Sequence, residues 1–206
     1  MPSKYTRHAD AYASLVIDGS YFESSSDGRF RCVPGVLTIH PQWHQHADDF
    51  GDNGALVLNF PALSADSFRS FKVVDARSLL SLARRCPFEA ACAAAEEADT
   101  VDPIAPADWL VRLTAMLTAN DDVDIAQIAA RCGVSAEHAA RACKRWFGLS
   151  PGALRRERRL HHAISLLKAG ASPAEVAAAT GFSDQPHLTR LLKRATGLTP
   201  ALVARS

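Results

Sequence analysis

The sequence predicts an α+β protein in two parts. Residues 1–120 should hold a short antiparallel β region followed by helices, and residues 121–206 an all-α domain with two helix-turn-helix units. Three observations carry that expectation. Residues 12–60 alternate short apolar runs with glycine-bearing turns, as hairpin strands do. From residue 76 onward the apolar positions recur at helical spacing. The last part of the chain also says one thing twice, with "GVSAEHAARACKRWFGLSP" at 133–151 returning as "GFSDQPHLTRLLKRATGLTP" at 181–200.

In the β region, "YASLVIDGSYFES", "DGRFRCVPGVLTIHP" and "FGDNGALVLNF" are the candidate strands, with "DGS", "DGR", "PGV" and "DNG" read as the turns between them. Strands of this number predict a small sheet or part-barrel. The same stretch gathers His40, His44 and His46 with Asp48 and Asp49 close by. Three imidazoles and a carboxylate on neighbouring strands are donors of the kind that bind a divalent metal, and His40, His44, His46 and Asp49 are the candidate ligands. No other cofactor is suggested.

Helices should follow at "ARSLLSLARR", "PFEAACAAAEEA" and "PADWLVRLTAMLTAN", where Leu79, Leu80 and Leu82, then Trp109, Leu110, Leu113 and Leu117, form apolar stripes. Such stripes pack as core, as a dimer seam or as a surface that carries a signal between domains. "DTVDP" and "NDDVD" read as boundaries, the second as the linker.

In the repeat, aligning Ser135 with Asp184 pairs Arg141 with Arg190, Lys144 with Lys193, Gly148 with Gly197 and Pro151 with Pro200. An offset shared by so many positions points to a repeated structural unit. Each copy opens with a short periodic segment, "DIAQIAARCG" or "SPAEVAAATG", that should stop at Gly133 or Gly181. An N-cap follows at Ser135 or Asp184, then a second helix over about 136–147 or 185–196. Between the copies, 151–168 reads as one long helix with Leu154, Leu160, Ala163, Ile164 and Leu167 on its apolar side.

Charge separates along the same line. Residues 1–120 carry 10 Lys and Arg against 15 Asp and Glu, and residues 121–206 carry 13 against 7, so −5 faces +6. A basic helical half suits a polyanion. No stretch has the makings of a signal peptide or membrane span, and a cytoplasmic location is expected. The five cysteines are odd in number and include no CxxC pair, which predicts reduced, mostly buried thiols.

"GVSAEHAAR", "GLSP", "RRLHHAISLLKAG" and "EVAAATGFSDQPHLTRLLKRATGLTP" together resemble the DNA-binding domain of the AraC/XylS transcription regulators. The resemblance implies a seven-helix domain that sets two recognition helices into successive major-groove segments, about 34 Å or 10 bp apart. It also implies the contacts. In the second unit Gln185, Pro186, His187, Thr189 and Arg190 enter the groove, with Gln suited to adenine and Arg to guanine. In the first, Glu137 and Arg141 are the groups able to bond base edges strongly, and Glu137 serves equally as an acidic first-turn residue. Lys144, Arg145, Lys193 and Arg194 would hold phosphates, with N–H groups near Ser135 and Thr199 assisting. Arg159 would be structural.

The sequence departs from the family at Ala139 and Cys143, where larger residues are usual, so the first unit should be underpacked unless Trp146 and Phe147 fold back. "GRFRCVPGVLTIHPQWHQHADDFGDNGALVLNF" is similar to the cupin-like sensor half of such regulators, and its His-x-His pair echoes the metal motif of catalytic cupins, without the following glutamate or a later histidine.

The expected function is sequence-specific transcription regulation, with double-stranded DNA as partner. A small-molecule effector, a homodimer through the N-terminal half and, for an activator, RNA polymerase are the other partners the resemblance suggests, and no enzymatic turnover or membrane association is expected. The rival readings are a cupin-type metal-binding protein or enzyme carrying a DNA-binding tail, and a low-specificity architectural DNA binder.

Overall fold

The computed structural model describes residues 5–62, 67–73, 75–87, 89–90, 99–119 and 123–206. Among these residues are seven strands: β1 (Thr6–Arg7), β2 (Tyr12–Ser25), β3 (Gly28–Cys32), β4 (Val36–His40), β5 (Gln45–Pro61), β6 (Arg69–Lys72) and β7 (Asp99–Thr100). All pair antiparallel in one sheet, in the order β1-β5-β2-β4-β6-β7, and β3 lies beside the second half of β2. The chain divides into two compact units, 1–105 and 106–206.

The sheet is organised by two long strands where short hairpin strands were expected. "DGR" and "PGV" are turns, but "DGS" and "DNG" lie inside β2 and β5. There the β2–β5 ladder jumps from Gly19↔Ala55 to Tyr21↔Phe50, a bulge that accentuates local twist. Gly19 sits at φ +72°, and a Cβ there would come within 2.4 Å of the Gly54 carbonyl oxygen, so no side chain fits. The glycines that read as turns instead let two backbones touch. β6 lies between the expected strands, which end near residue 60, and the expected helices, which begin at 76, and it adds a strand to the sheet beside β4.

Alternation then assigns the two faces. Ala13, Leu15, Leu37, Ile39, Phe60 and Phe71 are buried on one side against Leu79 and Ala83 of α1 (Ala76–Arg85), so this stripe is core of the N-terminal unit. Tyr12, Ser14, Thr38 and His40 lie on the other side. The helix expected over "PFEAACAAAEEA", with Cys92, falls largely outside the described residues; Cys32, Cys86, Cys132 and Cys143 are free thiols.

The C-terminal unit holds α2 (Asp108–Ala119), α3 (Ile125–Arg131), α4 (Ala136–Phe147), α5 (Pro151–Lys168), α6 (Pro173–Ala179), α7 (Gln185–Thr196) and α8 (Pro200–Val203). The boundary expected at 120 is therefore corrected to 105: α2 belongs with the helical unit. Its Leu110, Leu113 and Leu117 share a buried cluster with Ile128, Ala139, Cys143, Phe147 and Leu154. This also answers the small residues on α4. Ala139 and Cys143 are fully buried because α2 leucines occupy the space, with Phe147 buried and Trp146 partly buried beside them. Moving the boundary transfers Asp108 and Arg112 together, so the charge asymmetry is unchanged. None of the helices among the described residues is long and apolar enough to cross a membrane.

Candidate nucleic-acid interface and histidine cluster

The two repeat helices have the same frame. α4 and α7 are each 12 residues long and begin 49 residues apart. Ser135 and Asp184 cap them, accepting from the His138 and His187 amides at 3.1 and 2.6 Å. Gly148 and Gly197 close them in the left-handed region at φ 70° and 77°. Each is preceded by a short helix, α3 or α6, that ends before a glycine of positive φ, Gly133 or Gly181. Leu188 and Leu192 are buried on α7 as Ala139 and Cys143 are on α4, which fixes each outward face.

That outward face carries the expected DNA residues, with different degrees of freedom. Gln185, Pro186, Arg190, Lys193 and Arg194 are exposed on α7. Thr189 Oγ1 donates to the Gln185 carbonyl at 2.9 Å, so its methyl is what remains to offer. His187 is exposed yet anchored: its Nδ1 lies 3.1 Å from Ser183 Oγ and its ring meets Phe182 edge-on at 5.3 Å. On α4, Arg141 pairs with Glu137 at 3.0 Å across one turn, and Lys144 Nζ donates to the Gly148 carbonyl at 2.7 Å, capping the helix end. Arg145 is exposed.

α5 locks the units together with its arginines. Arg155 donates to the Val123 carbonyl and Arg158 to the Thr114 carbonyl, at 3.0 and 3.2 Å. Arg159 donates through Nε to the Thr180 carbonyl at 2.8 Å and through its terminal nitrogen to the Gly181 carbonyl, while its guanidinium lies 4.5 Å from the centre of the Phe182 ring. Arg155, Arg158 and Arg159 thus carry bonds inside the domain, and Arg159, expected to be structural, fastens the turn of the second unit.

In the N-terminal unit the sheet brings His40, His44 and His46 together, but with Glu23 in place of Asp49. Candidate ligand atoms of these four buried residues all lie within 4.8 Å of one another. Asp49 is corrected out of the set: on β5 it alternates away from His46 and Asp48, and it pairs with Arg29 at 3.0 Å. Glu23 enters because β2 sets it opposite Asp48 and beside His40, whose Nε2 lies 2.9 Å from Glu23 Oε1. A lone carboxylate in the apolar run around "YFESS" was the available signal.

The turn between β4 and β5 delivers His44 through Trp43, whose φ of 59° is strained for a bulky residue. The Trp43 side chain is buried, its backbone N–H donates to the His8 carbonyl at 2.8 Å, and Arg7 donates to the Trp43 backbone carbonyl at 2.6 Å. Around the cluster, His44 Nε2 lies 3.1 Å from Asp27 Oδ2, Tyr12 Oη lies 3.2 Å from His46 Nε2, and Tyr12 stacks on His40 at 4.3 Å.

Burial dominates the electrostatics. It pushes His46 down to about 3 and His44 downward against the pull of Asp27, so both rings are neutral at pH 7. Burial raises the Glu23 carboxyl, but His40 first, then His46 and His44, outweigh it and the balance is downward. Asp48 is pushed up to about 7 by burial and by Glu23.

Two capped helix-turn-helix units on one shared connecting helix, in a unit of net positive charge, define a domain of the double helix-turn-helix class. Residues 128–206 match the helix-turn-helix domain family. The C-terminal domain is accordingly a helix-turn-helix domain of the AraC type, as its sequence suggests. Among solved structures, ToxT from Vibrio cholerae O395 is similar at 10% identity over 98% of this chain and 94% of that one, with a TM-score of 0.49. An AraC-type regulator from Chromobacterium violaceum is 27% identical over 47% of this chain and 89% of its own, at 0.43. The C-terminal domain of AraT, a response regulator from Geobacillus stearothermophilus, is 22% identical over 48% and 85%, at 0.44. No protein of curated function matches the sequence.

Proposed function

We propose that this protein is a sequence-specific transcription regulator whose α4 and α7 read two successive major-groove segments of one operator. The observation that carries the reading is the repetition itself: two recognition helices of equal length, identically framed and tied to one connecting helix. A single recognition helix reads too few base pairs for selectivity, and two in tandem lengthen the site without a second subunit.

In this reading Gln185 and Arg190 are the principal base readers, with the Thr189 methyl against a thymine and Pro186 admitting close approach. Arg141 is the reader of the first unit once Glu137 releases it. Lys193, Arg194, Arg145 and Lys144 are phosphate contacts, and His187 supports the turn more than it reads. The N-terminal sheet is the sensing or subunit-pairing half.

Selection of preferred sites from random duplex DNA tests this, performed with the full chain and with Arg141→Ala and Arg190→Ala. The expected outcome is a bipartite motif with boxes about one helical turn apart, each lost with its own arginine. Tight binding without an enriched motif would establish an architectural binder instead, the reading that the sparse first helix favours.

A further inference from the structure

We infer that Glu23, His40, His44 and His46 form a site for one divalent transition-metal ion of the zinc class, built into the N-terminal sheet. The inference concerns the first unit alone and holds whether or not the C-terminal domain reads DNA.

The four residues come from β2, the end of β4, the β4–β5 turn and β5, so only the folded sheet assembles them. Side chains of this kind are seldom buried together. Here Glu23, His40 and His44 are each 1% exposed and His46 is 6% exposed. One candidate donor atom from each lies within 4.8 Å of the other three. Four ligands held about 2.0–2.2 Å from a tetrahedral ion stand about 3.4 Å apart, so closing the set requires small side-chain adjustments and no movement of strands.

The hydrogen bonding inside the cluster leaves donors to spare. His40 Nδ1 and His46 Nδ1 are buried with no hydrogen-bond partner among the described residues. Buried polar atoms are normally satisfied, and an imidazole lone pair with nothing to accept from is what a metal ion answers. Outer groups are also in place: Asp27 beside His44 and Tyr12 beside His46 are of the type that orients ligating imidazoles.

Donor chemistry selects the ion. Three imidazole nitrogens and one carboxylate suit zinc, nickel, cobalt or iron(II), whereas calcium and magnesium require oxygen ligands throughout. A cavity of about 290 Å³ lined in part by Tyr12, Glu23, His40, His46 and Asp48 provides the access route and space for a water or small anion on the metal.

The test uses the whole 206-residue chain, stripped with a chelator and then titrated with Zn²⁺ and, separately, Co²⁺. We expect one ion per chain, Co²⁺ ligand-field bands of nitrogen and oxygen ligation without thiolate charge transfer, and a raised thermal midpoint on Zn²⁺ addition. Replacing an outer group typically weakens a site 10- to 100-fold, so Glu23→Gln and His40→Gln should each weaken binding at least about tenfold. His162→Gln, on the exposed side of α5, should leave it unchanged. If the ligand variants lose their far-ultraviolet circular dichroism, Asp27→Asn, at a side chain 41% exposed, takes their place and should also cost about tenfold. The proposal is overturned by absence of stoichiometric Zn²⁺ and Co²⁺ binding, by thiolate ligation, or by equal affinity in folded ligand variants or in Asp27→Asn; each of these makes the cluster a polar network that only holds the sheet.

Discussion

Leu113→Ala tests whether α2 is a working part of the DNA-binding domain. Leu113 is fully buried, in one cluster with Leu110, Leu117, Ile128, Ala139, Cys143 and Leu154. Truncating it forfeits the transfer free energy of a buried leucine, about 1.5–3 kcal/mol, and leaves a void as well. The void cannot collapse easily. Its neighbours on α4 are an alanine and a cysteine with no reach, and α2 is held to α5 by Arg158 donating to the Thr114 carbonyl at 3.2 Å. The upper part of the 2–5 kcal/mol range for such substitutions therefore applies, about 3–5 kcal/mol. For a unit of this size that lowers the thermal midpoint by more than about 10 °C. Urea unfolding followed by circular dichroism measures it, with Leu154→Ala as the matched core substitution on α5. A loss below about 1 kcal/mol for Leu113→Ala, beside a full loss for Leu154→Ala, would refute the argument and return α2 to the N-terminal half.

Three further outcomes are expected. Gly19→Ala should destabilise the N-terminal unit by at least about 1–3 kcal/mol, since both its φ of +72° and the Gly54 carbonyl at 2.4 Å oppose a Cβ; an unchanged urea midpoint would contradict the bulge. Asp184→Ala removes the α7 cap and should cost about 0.5–2 kcal/mol in thermal unfolding, together with affinity for the selected DNA site, while Asp184→Asn should retain most of both. Lys193→Ala should weaken binding to all sequences alike and reduce the salt slope of binding by about 1, whereas Arg190→Ala should cost about 1–3 kcal/mol at one base position; identical profiles for the two would dissolve the distinction between reading and holding.

The helices were legible because local signals set them. The helices expected at 136–147 and 185–196 occupy those positions, since Ser135, Asp184, Gly148 and Gly197 act within a turn of their own helix. The fold of the sheet was less legible, because its meaning lies in pairing. Gly19 and Gly54 are turn residues by composition and bulge partners by contact, and nothing local tells the two apart. Glu23 escaped the candidate ligands for the same reason, being 17 residues from His40 in the chain and 2.9 Å away in the fold. Asp48 and Asp49 are adjacent carboxylates of opposite phase, and only the register of β5 against β2 decides which one faces the histidines. α2 was misassigned because an apolar stripe states that a helix is buried without stating against what.

The two recognition helices share a frame but not a charge pattern, and the difference has a consequence. α7 carries Arg190, Lys193 and Arg194 with no acidic residue in its length, whereas α4 opens with Glu137, which holds Arg141 at 3.0 Å. Both members are well exposed, 66% for Arg141 and 81% for Glu137, so the pair contributes at most a few tenths of a kcal/mol to stability. In the proposed reading its cost to DNA binding is larger in kind: a carboxylate one turn before Arg141 opposes phosphate and would have to be displaced before the guanidinium could turn to a base. Glu137→Gln should therefore leave the melting temperature nearly unchanged and strengthen binding to the full site. If Glu137 instead accepts from a cytosine amine, the same substitution lowers affinity and alters the preferred base in the first box. Site selection with Glu137→Gln separates the two, and a lowered affinity with an altered first box would overturn the view that α4 is the self-neutralised partner of α7.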